Sequence, residues 1–459
     1  MLFLKGTDFT TRSRRTIKQA QDLMNGRRAG RSTGRFRLPY RTMNALRSHL
    51  ETARDSQPFL QNDLMRRTAK AKKMNVLHVA TLNRPIRQDL GYGPIEGIIY
   101  NIDKGLHQLG HRSIVACSGD SRVAGEHYVT IARSFNEYWS TDTPQQRRRM
   151  TTHLLKSLER ARKGDIDIIH MHDVVMAEYL HKGVIRSPVP IVVTLHVPAE
   201  EKGSFKRWCE SLRSASEVHF VPISAYQKQQ HHGLVNATHV IHHGIDVDDY
   251  PFKTKPDHEG YLFTIGRITH VKGQDKAIDV ARKTGSKLII AGCVQNKRED
   301  RAFFKRLQRS IDLCVDAGQY PVDNDYHEKV IKPIVDCDQQ IIYIGEISRE
   351  QKKLWYRHAR ATLFPIQWGE PFGLVLIESM ACGTPVLALQ NGSVPEIVIH
   401  GKTGFVVDSL STMVKAVAHI QRIDPGECRR HVQRHFSISI MAQQYAALYQ
   451  RIVDGRRVV

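Results

Sequence analysis

Residues 361–396 read ATLFPIQWGEPFGLVLIESMACGTPVLALQNGSVPE, and this stretch restricts the fold more than any other. The opening run Ala361-Thr362-Leu363-Phe364-Pro365-Ile366 has the length and composition of a buried strand. A turn with Pro371-Phe372-Gly373 follows, then the apolar run Leu374-Val375-Leu376-Ile377 and the small residues Ser379, Ala381, Cys382 and Gly383. That order predicts strand, glycine-containing turn and helix start. Glu370 falls on the turn and Glu378 on the first helical turns. The first amides of a helix lack internal partners and carry positive character. A glycine beside them lets the backbone approach an anionic or hydroxyl-rich ligand closely. Eight residues are about two helical turns, so both carboxylates can face one crevice. Taken alone, the pair reads equally well as two solvated surface groups.

The rest of the chain repeats this alternation. Buried-type strands are expected at 75–81, 113–117, 167–172, 191–196 and 218–224, and again at 261–265, 287–293 and 341–344. Helical patterns separate them, for example 145–162 and 350–358. This is an α/β pattern with parallel sheets, whose ligands sit at the carboxyl ends of the strands. The polar segment 250–259 (YPFKTKPDHE) divides the two series as a linker. In the first series, Gly91-Tyr92-Gly93 lies between the first strand and a helix starting near Ile95. A turn of this kind suits phosphate approach, but G-x-G-x-x-G is not met, and a glycine pair is commonly just a turn. In the second, Arg267 and Lys272 flank a strand-to-helix turn. Two cations there suit a diphosphate, and in a basic chain they also read as plain surface charge. His170, His172 and Asp173 close one strand and His196 the next. H-x-H-D suggests a metal, but spacing supplies no further ligand, so a hydrogen-bonded or core histidine is the better expectation. Residues 295–325 read as an inserted helix plus loop.

The formal charge of +22 points toward nucleic acid or a membrane surface. Its distribution argues otherwise, because residues 1–73 alone hold 18 Lys/Arg against 5 Asp/Glu. The basicity belongs to a leader, and three readings of it compete. It is a solvated tail ahead of Met74, where a compact enzyme would begin, or an anchor to anionic lipid, or an organelle-targeting segment. The first is preferred. The 7 Cys are scattered with no C-x-x-C, which fits free thiols in a reducing compartment and argues against a zinc site. No apolar run reaches about twenty residues, the length a membrane-spanning helix needs.

GEPFGLVLIESMACGTPVLAL, followed by GSVPEIV and HGKTGFVVD, resembles the E-x7-E segment of the retaining GT-B glycosyltransferases, the group 1 or family 4 type. The likeness runs over about forty consecutive residues, far more than a short motif. It implies a GT-B fold: two Rossmann-like parallel-sheet domains, 74–250 and 256–436, facing across a cleft, with a helix at 437–453 crossing back to the first. It implies that Glu370 contacts hydroxyls of the donor sugar, that the amides of Phe372, Gly373 and Leu374 hold that sugar, and that Glu378 holds the ribose. By the same resemblance, Gly91 and Gly93 lie over the donor diphosphate. His196 (in VVTLHVP) lies beside the donor sugar, acting through carbonyl and ring. Arg267 and Lys272 match a G-R-x3-5-K-G pattern and clamp the diphosphate. Ile347 sits where the base is read through backbone groups. The segment 240–246 resembles a hinge-side strand, with His243 where relatives carry Asn. Asp246, Asp248 and Asp249 are taken as a turn, not as a metal-binding D-x-D.

The implied activity is retaining, metal-independent transfer of a hexose from a nucleotide-diphosphate sugar, without a cofactor. GEISREQKKLWYRHARATLFPIQWGEPFGL looks most like bacterial glucosyltransferases with a UDP-glucose donor, whose acceptors range from pterin-like molecules to cell-surface glycans. The acceptor is left unnamed. A cytoplasmic location is expected, with peripheral membrane contact through the leader. Two rivals stand beside this reading. One is a GT-B nucleotide-sugar isomerase or epimerase, which would need an acid/base set at the sugar. The other is a basic nucleic-acid-binding protein, which lacks interleaved aromatics and a binding motif.

Overall fold

The computed structural model describes residues 72–91, 93–136, 143–172, 187–198, 218–235, 237, 239–256 and 260–455. The expectations for the basic leader, for Tyr92, Asp173 and Cys209, fall outside these residues.

Strands β1 (Asn75–Val79), β2 (Arg112–Ser118), β3 (Glu126–Ile131), β4 (Ile168–Met171), β5 (Ile191–Leu195) and β6 (Val218–Pro222) form one sheet in the order β3-β2-β1-β4-β5-β6. Strands β7 (Leu262–Ile265), β8 (Leu288–Ala291), β9 (Leu313–Cys314), β10 (Ile341–Tyr343), β11 (Ala361–Phe364), β12 (Val386–Leu389) and β13 (Gly404–Val407) form a second, β13-β12-β11-β7-β8-β10-β9. Every pairing is parallel. Parallel sheets bury both faces, which is why β4, β5, β8, β11 and β12 are buried at every position. The fold is two Rossmann-like parallel-sheet domains. Strand order reverses between β1 and β4 and between β7 and β11, and such switch points open a crevice at the carboxyl ends of the strands.

Among the described residues of the first half the helices are α1 (Pro94–Gln108), α2 (Pro144–Ala161) and α3 (Ala225–Gln230). In the second they are α4 (Gln274–Thr284), α5 (Arg298–Leu307), α6 (Lys332–Asp336), α7 (Arg349–Arg357), α8 (Leu374–Ala381), α9 (Val394–Ile397), α10 (Leu410–Val417) and α11 (Pro425–His435). The last, α12 (Ile438–Val453), starts at an Ser437 cap that accepts from the Ile440 amide. It packs against the first half: Met441, Tyr445 and Tyr449 share a buried cluster with Val76, Ile98 and Ile102. None of the helices among the described residues is long and apolar enough to cross a membrane. The six described cysteines are unpaired thiols.

Two expectations change, and one strand was not expected. Residues 240–246 are extended but form no strand, and a single bridge joins Ile245 to Ser437. Its backbone is met by separate bonds instead: the Ile241 amide donates to the Pro222 carbonyl, the Ile245 amide to the Phe436 carbonyl, and Asn101 Nδ2 to the Gly244 carbonyl. Residues 295–325 hold more than a helix and loop, because β9 adds an edge strand beside β10. Strand β3 gave no clear signal, being half exposed and reached from β2 without an intervening helix.

The α1–α12 contact is close. A Cβ on Gly105 would meet Ala442 Cβ at 2.6 Å and Ile438 Cγ2 at 2.8 Å. Gly105→Val is expected to lower stability by about 1–3 kcal/mol through overpacking. A denaturant midpoint equal to that of the unchanged protein would remove this helix pair from the account of stability.

Candidate active site

The two halves meet at their strand carboxyl ends. A cavity there is lined from the first half by Gly91, Gly93, Gly97 and Asn101, and from the second by Gly266, Ile347, Leu374 and Glu378. Of the residues singled out from sequence, Gly91, Gly93, Ile347, Leu374 and Glu378 share this cavity. A Cβ on Gly91 would lie 3.4 Å from the Ile347 carbonyl, so the glycine loop faces the end of β10.

The turn after β11 owes its shape to two glycines. Gly373 caps α8 at φ 88°, ψ 67°, a left-handed conformation that disfavours other residues. Gly392 (φ 60°) lies so close that a Cβ would sit 2.3 Å from the Glu370 backbone nitrogen and oxygen. Ser393 then donates through its amide to the Glu370 carbonyl (3.0 Å) and through Oγ to the Phe372 carbonyl (2.7 Å). The QNGS segment is thus a cradle for the Glu370 turn. The Phe372 ring is buried and meets the His243 ring edge-on, with centroids 5.0 Å apart.

Both carboxylates are engaged. Glu370 Oε2 accepts from Lys272 Nζ (2.6 Å) and Trp368 Nε1 (3.0 Å). Glu378 Oε1 accepts from Lys352 Nζ (2.6 Å) and Tyr250 OH (3.3 Å), and Oε2 from Tyr356 OH (3.2 Å). Burial, and then the neighbouring Glu378 charge, push both phenols far up, so they remain O–H donors. Lys352, Tyr250, Tyr356 and Trp368 were not foreseen. The one legible signal was Lys352 and Tyr356 at i and i+4 on α7, a spacing that puts both on one helix face. Arg267 and Lys272 do not share a partner. Arg267 Nη1 donates to Gln295 Oε1 (3.0 Å), and its Nε lies 4.0 Å from Asp300 Oδ2.

The three aspartates near the linker are structural ties. Asp246 pairs with Lys104 (2.5 Å), Asp248 with Arg429 (3.3 Å), and Asp249 with Arg349 (2.7 Å) and Lys353 (2.9 Å). Val247–Asp249 is a single 3-10 turn.

His170 and His172 are buried and hydrogen-bonded, as expected, but they are not alone. A third imidazole does join His170 and His172: His78 of β1, which pairs directly with His170, and the three offer ligand atoms within 4.8 Å of one another. Spacing along one strand could not reveal a residue on its neighbour. Both nitrogens of His170 are already taken, by Thr194 Oγ1 (2.7 Å) and Tyr449 OH (2.6 Å), so an ion there would displace a hydrogen bond. His196 is half-buried, with Nε2 3.2 Å from His172 Nδ1, and its ring stacks on His243 at 5.3 Å.

The profile of glycosyl transferases group 1 matches residues 246–427, and that of glycosyltransferase family 4 matches residues 95–249. The matches overlap at residues 246–249 and together span more than half of the chain. The chain belongs to the group 1 glycosyltransferases. Among curated relatives, this glycosyltransferase is 24% identical to a D-inositol 3-phosphate glycosyltransferase of Mycolicibacterium smegmatis over 71% of this chain and 77% of that protein. A protein of the same name from Pseudarthrobacter chlorophenolicus is 24% identical over 56% of this chain and 63% of its own length. A Mycobacterium tuberculosis glycogen synthase is 27% identical over 61% and 66%. The chain therefore spans just under two thirds of the length of two of these relatives. Among solved structures, sucrose-phosphate synthase from Thermosynechococcus elongatus superposes with a TM-score of 0.62 at 17% identity, covering 83% of this chain and 100% of that one. Anabaena HepE in complex with UDP-glucose gives 0.58 at 16%, covering 82% and 99%. At these identities the superpositions speak for the fold.

One further carboxylate ties the halves of the glycosyltransferase together. Glu396 accepts from the Ala225 and Tyr226 amides (both 2.7 Å) and lies 3.2 Å from His242 Nε2. Burial raises its pKa, but the His242 ring and the two amides outweigh burial and hold it below the usual carboxylate range. A carboxyl whose folded pKa is depressed stabilises above its unfolded pKa, and that contribution is lost as pH falls through the folded value. Glu396→Gln is expected to destabilise near neutral pH by about 1.5–3 kcal/mol and to flatten the acid limb of a stability–pH curve. An acid limb as steep as that of the unchanged protein would exclude this tie.

Proposed function

We propose that the protein is a retaining, metal-independent hexosyltransferase that moves glucose from UDP-glucose to an acceptor hydroxyl. The observation that carries the reading is Glu378, lining the cavity between the two switch points with its carboxylate held by Lys352, Tyr250 and Tyr356. A carboxylate fixed in this way suits the two hydroxyls of a ribose. The base then lies along Ile347, and the diphosphate lies under the Gly91 and Gly93 loop.

Glu370, with the amides of Phe372, Gly373 and Leu374, orients the sugar. Among the described residues Glu370 Oε1 makes no hydrogen bond, so it is available to a sugar hydroxyl. Lys272 is shared between Glu370 and the diphosphate, and Arg267 is the second cation for the leaving group. The bond between the anomeric carbon and the phosphate oxygen breaks, and a bond from the acceptor oxygen forms on the same face. The acceptor proton passes to the leaving diphosphate oxygen. With two side-chain cations stabilising that charge, a divalent ion is dispensable. His196 lies beside the sugar. The UDP-glucose complex of HepE supports a uridine donor. Residues 74–250 would carry the acceptor, 256–436 the donor and 437–453 the crossing helix. A cytoplasmic enzyme touching an anionic membrane through residues 1–73 fits this scheme.

The direct test is calorimetric titration with UDP of the full chain, of a chain starting at Met74, and of Glu378→Ala. Equal binding by the first two and at least a tenfold loss in the third is expected, as for a charged hydrogen bond of about 1.5–3 kcal/mol. Absence of binding by any nucleoside diphosphate would overturn the reading. For the chemical step, Lys272→Ala should lower kcat by about 10²–10³, as loss of a charge-stabilising donor does. UDP release that requires no acceptor, and proceeds with conversion of the sugar, would favour the isomerase instead.

A further inference from the structure

A column of polar side chains rises inside the first half toward the site. His170 and His172 are two apart on one face of the sheet, His78 sits beside His170 on β1, and Thr194 and His196 continue the column along β5 and just past its end. Its foot is closed. His170 is held by Thr194 Oγ1 and Tyr449 OH, and Thr194 Oγ1 also meets Tyr445 OH at 2.7 Å. Above it runs a chain of ring-to-ring contacts: His78 Nδ1 to His172 Nε2 at 3.2 Å, then His172 Nδ1 to His196 Nε2 at 3.2 Å. His78 and His172 are almost fully buried, at 0% and 2% exposure.

Burial drives these imidazoles toward the neutral form. His78 and His196 are pushed down to about 3, and His172 well below its ordinary value. Each neutral ring carries one N–H, so the chain has a direction. If the protons pointed inward, His78 would bear its proton on Nε2, which is buried and has no hydrogen-bond partner among the described residues. Orphaned buried N–H groups are rarer in native proteins than orphaned acceptors. Pointed outward, His78 Nδ1–H donates to His172, and His172 Nδ1–H donates to His196 Nε2. His196 then keeps its proton on Nδ1, a nitrogen with no hydrogen bond among the described residues.

We propose that His172, backed by His78, is a positioning residue that fixes His196 as the Nδ1–H tautomer, so that His196 offers a hydrogen-bond donor to a hydroxyl oxygen of the donor sugar. The sugar half of this inference rests on the transferase reading, whereas the tautomer does not. The rings of His196 and His243 stack at 23°, and His243 meets Phe372 of the sugar-holding turn, which places the presented donor beside that turn. The same contacts admit a rival, an ion replacing the proton between His78 and His172. Both nitrogens of His170 being engaged disfavours it.

The experiment is nitrogen-15 NMR of the histidine rings in the full chain, with His196→Gln identifying the His196 signals. A protonated Nδ1 and a bare Nε2 on His196 are expected, and a protonated Nε2 overturns the proposal. Metal analysis of the same sample that finds one zinc per chain also overturns it. For function, His172→Asn keeps a donor at the Nδ1 position, and His172→Leu removes it. UDP, which lacks the sugar, should bind both variants and the unchanged protein alike. UDP-glucose affinity should fall about three- to tenfold in His172→Leu, as loss of a neutral hydrogen bond implies, and recover in His172→Asn. Equal losses in the two variants would make His172 a packing residue only. Failure of every form to bind UDP would sink the transferase reading while leaving the tautomer result intact.

Discussion

Two carboxylates, Glu378 lining the cavity and Glu370 on the turn before α8, dictate much of what surrounds them. A buried charge without a partner is strongly destabilising, so each carboxylate must be met by cations and hydroxyls before the chain can close over it. Around Glu378 this requirement brings together three separate segments, with Tyr250 from between β6 and β7, and Lys352 and Tyr356 from α7, converging on α8. Around Glu370 it joins Lys272, just before α4, to the turn after β11. The strand order delivers both turns to the same place, because β7 and β11 are neighbours at the switch point.

The same economy links binding to the junction between the halves. Tyr250 donates to Glu378 and lies directly after Asp249, which is clamped by Arg349 and Lys353 of α7. Gln88 of the first half donates to that same Asp249 oxygen at 3.2 Å. A ligand that moves Glu378 therefore pulls on a residue at the entrance to the linker. On the opposite side Glu396 holds the start of α3, and α12 fastens the end of the chain beneath the first sheet. Closure in such an arrangement would be a hinge between three fixed ties.

Much of this was legible because the relevant signals are local. The strand at 361–364, the glycine turn and the start of α8 follow one another in sequence, and backbone geometry alone demands Gly373. The parallel sheets were legible for a similar reason, since fully buried strands are continuous apolar runs. What escaped was non-local or weakly patterned. The edge strand β3 alternates little and has exposed residues at its start. The segment 240–246 was expected as a strand only through its resemblance, and its backbone is met by separate bonds to Pro222, Phe436 and Asn101 and one bridge to Ser437, not by a ladder. Lys352 looks like any surface lysine on a charged helix until Glu378 is placed opposite it.

The histidines show why the interior of the first half was the least legible part. Along β4 the spacing H-x-H announces only that two rings share a face. The register of β1 against β4 supplies His78, and that of β5 supplies Thr194 and His196. The closing phenol, Tyr449, comes from a helix 279 residues away. None of these rings can be charged cheaply in so buried a place, and burial lowers the pKa of every one. A column of neutral imidazoles conveys orientation, not charge, because each ring's single proton determines which nitrogen of the next is left to donate. The charged groups at the neighbouring turns are Lys272, Arg267 and the two glutamates, while the histidines govern only where a hydrogen bond points.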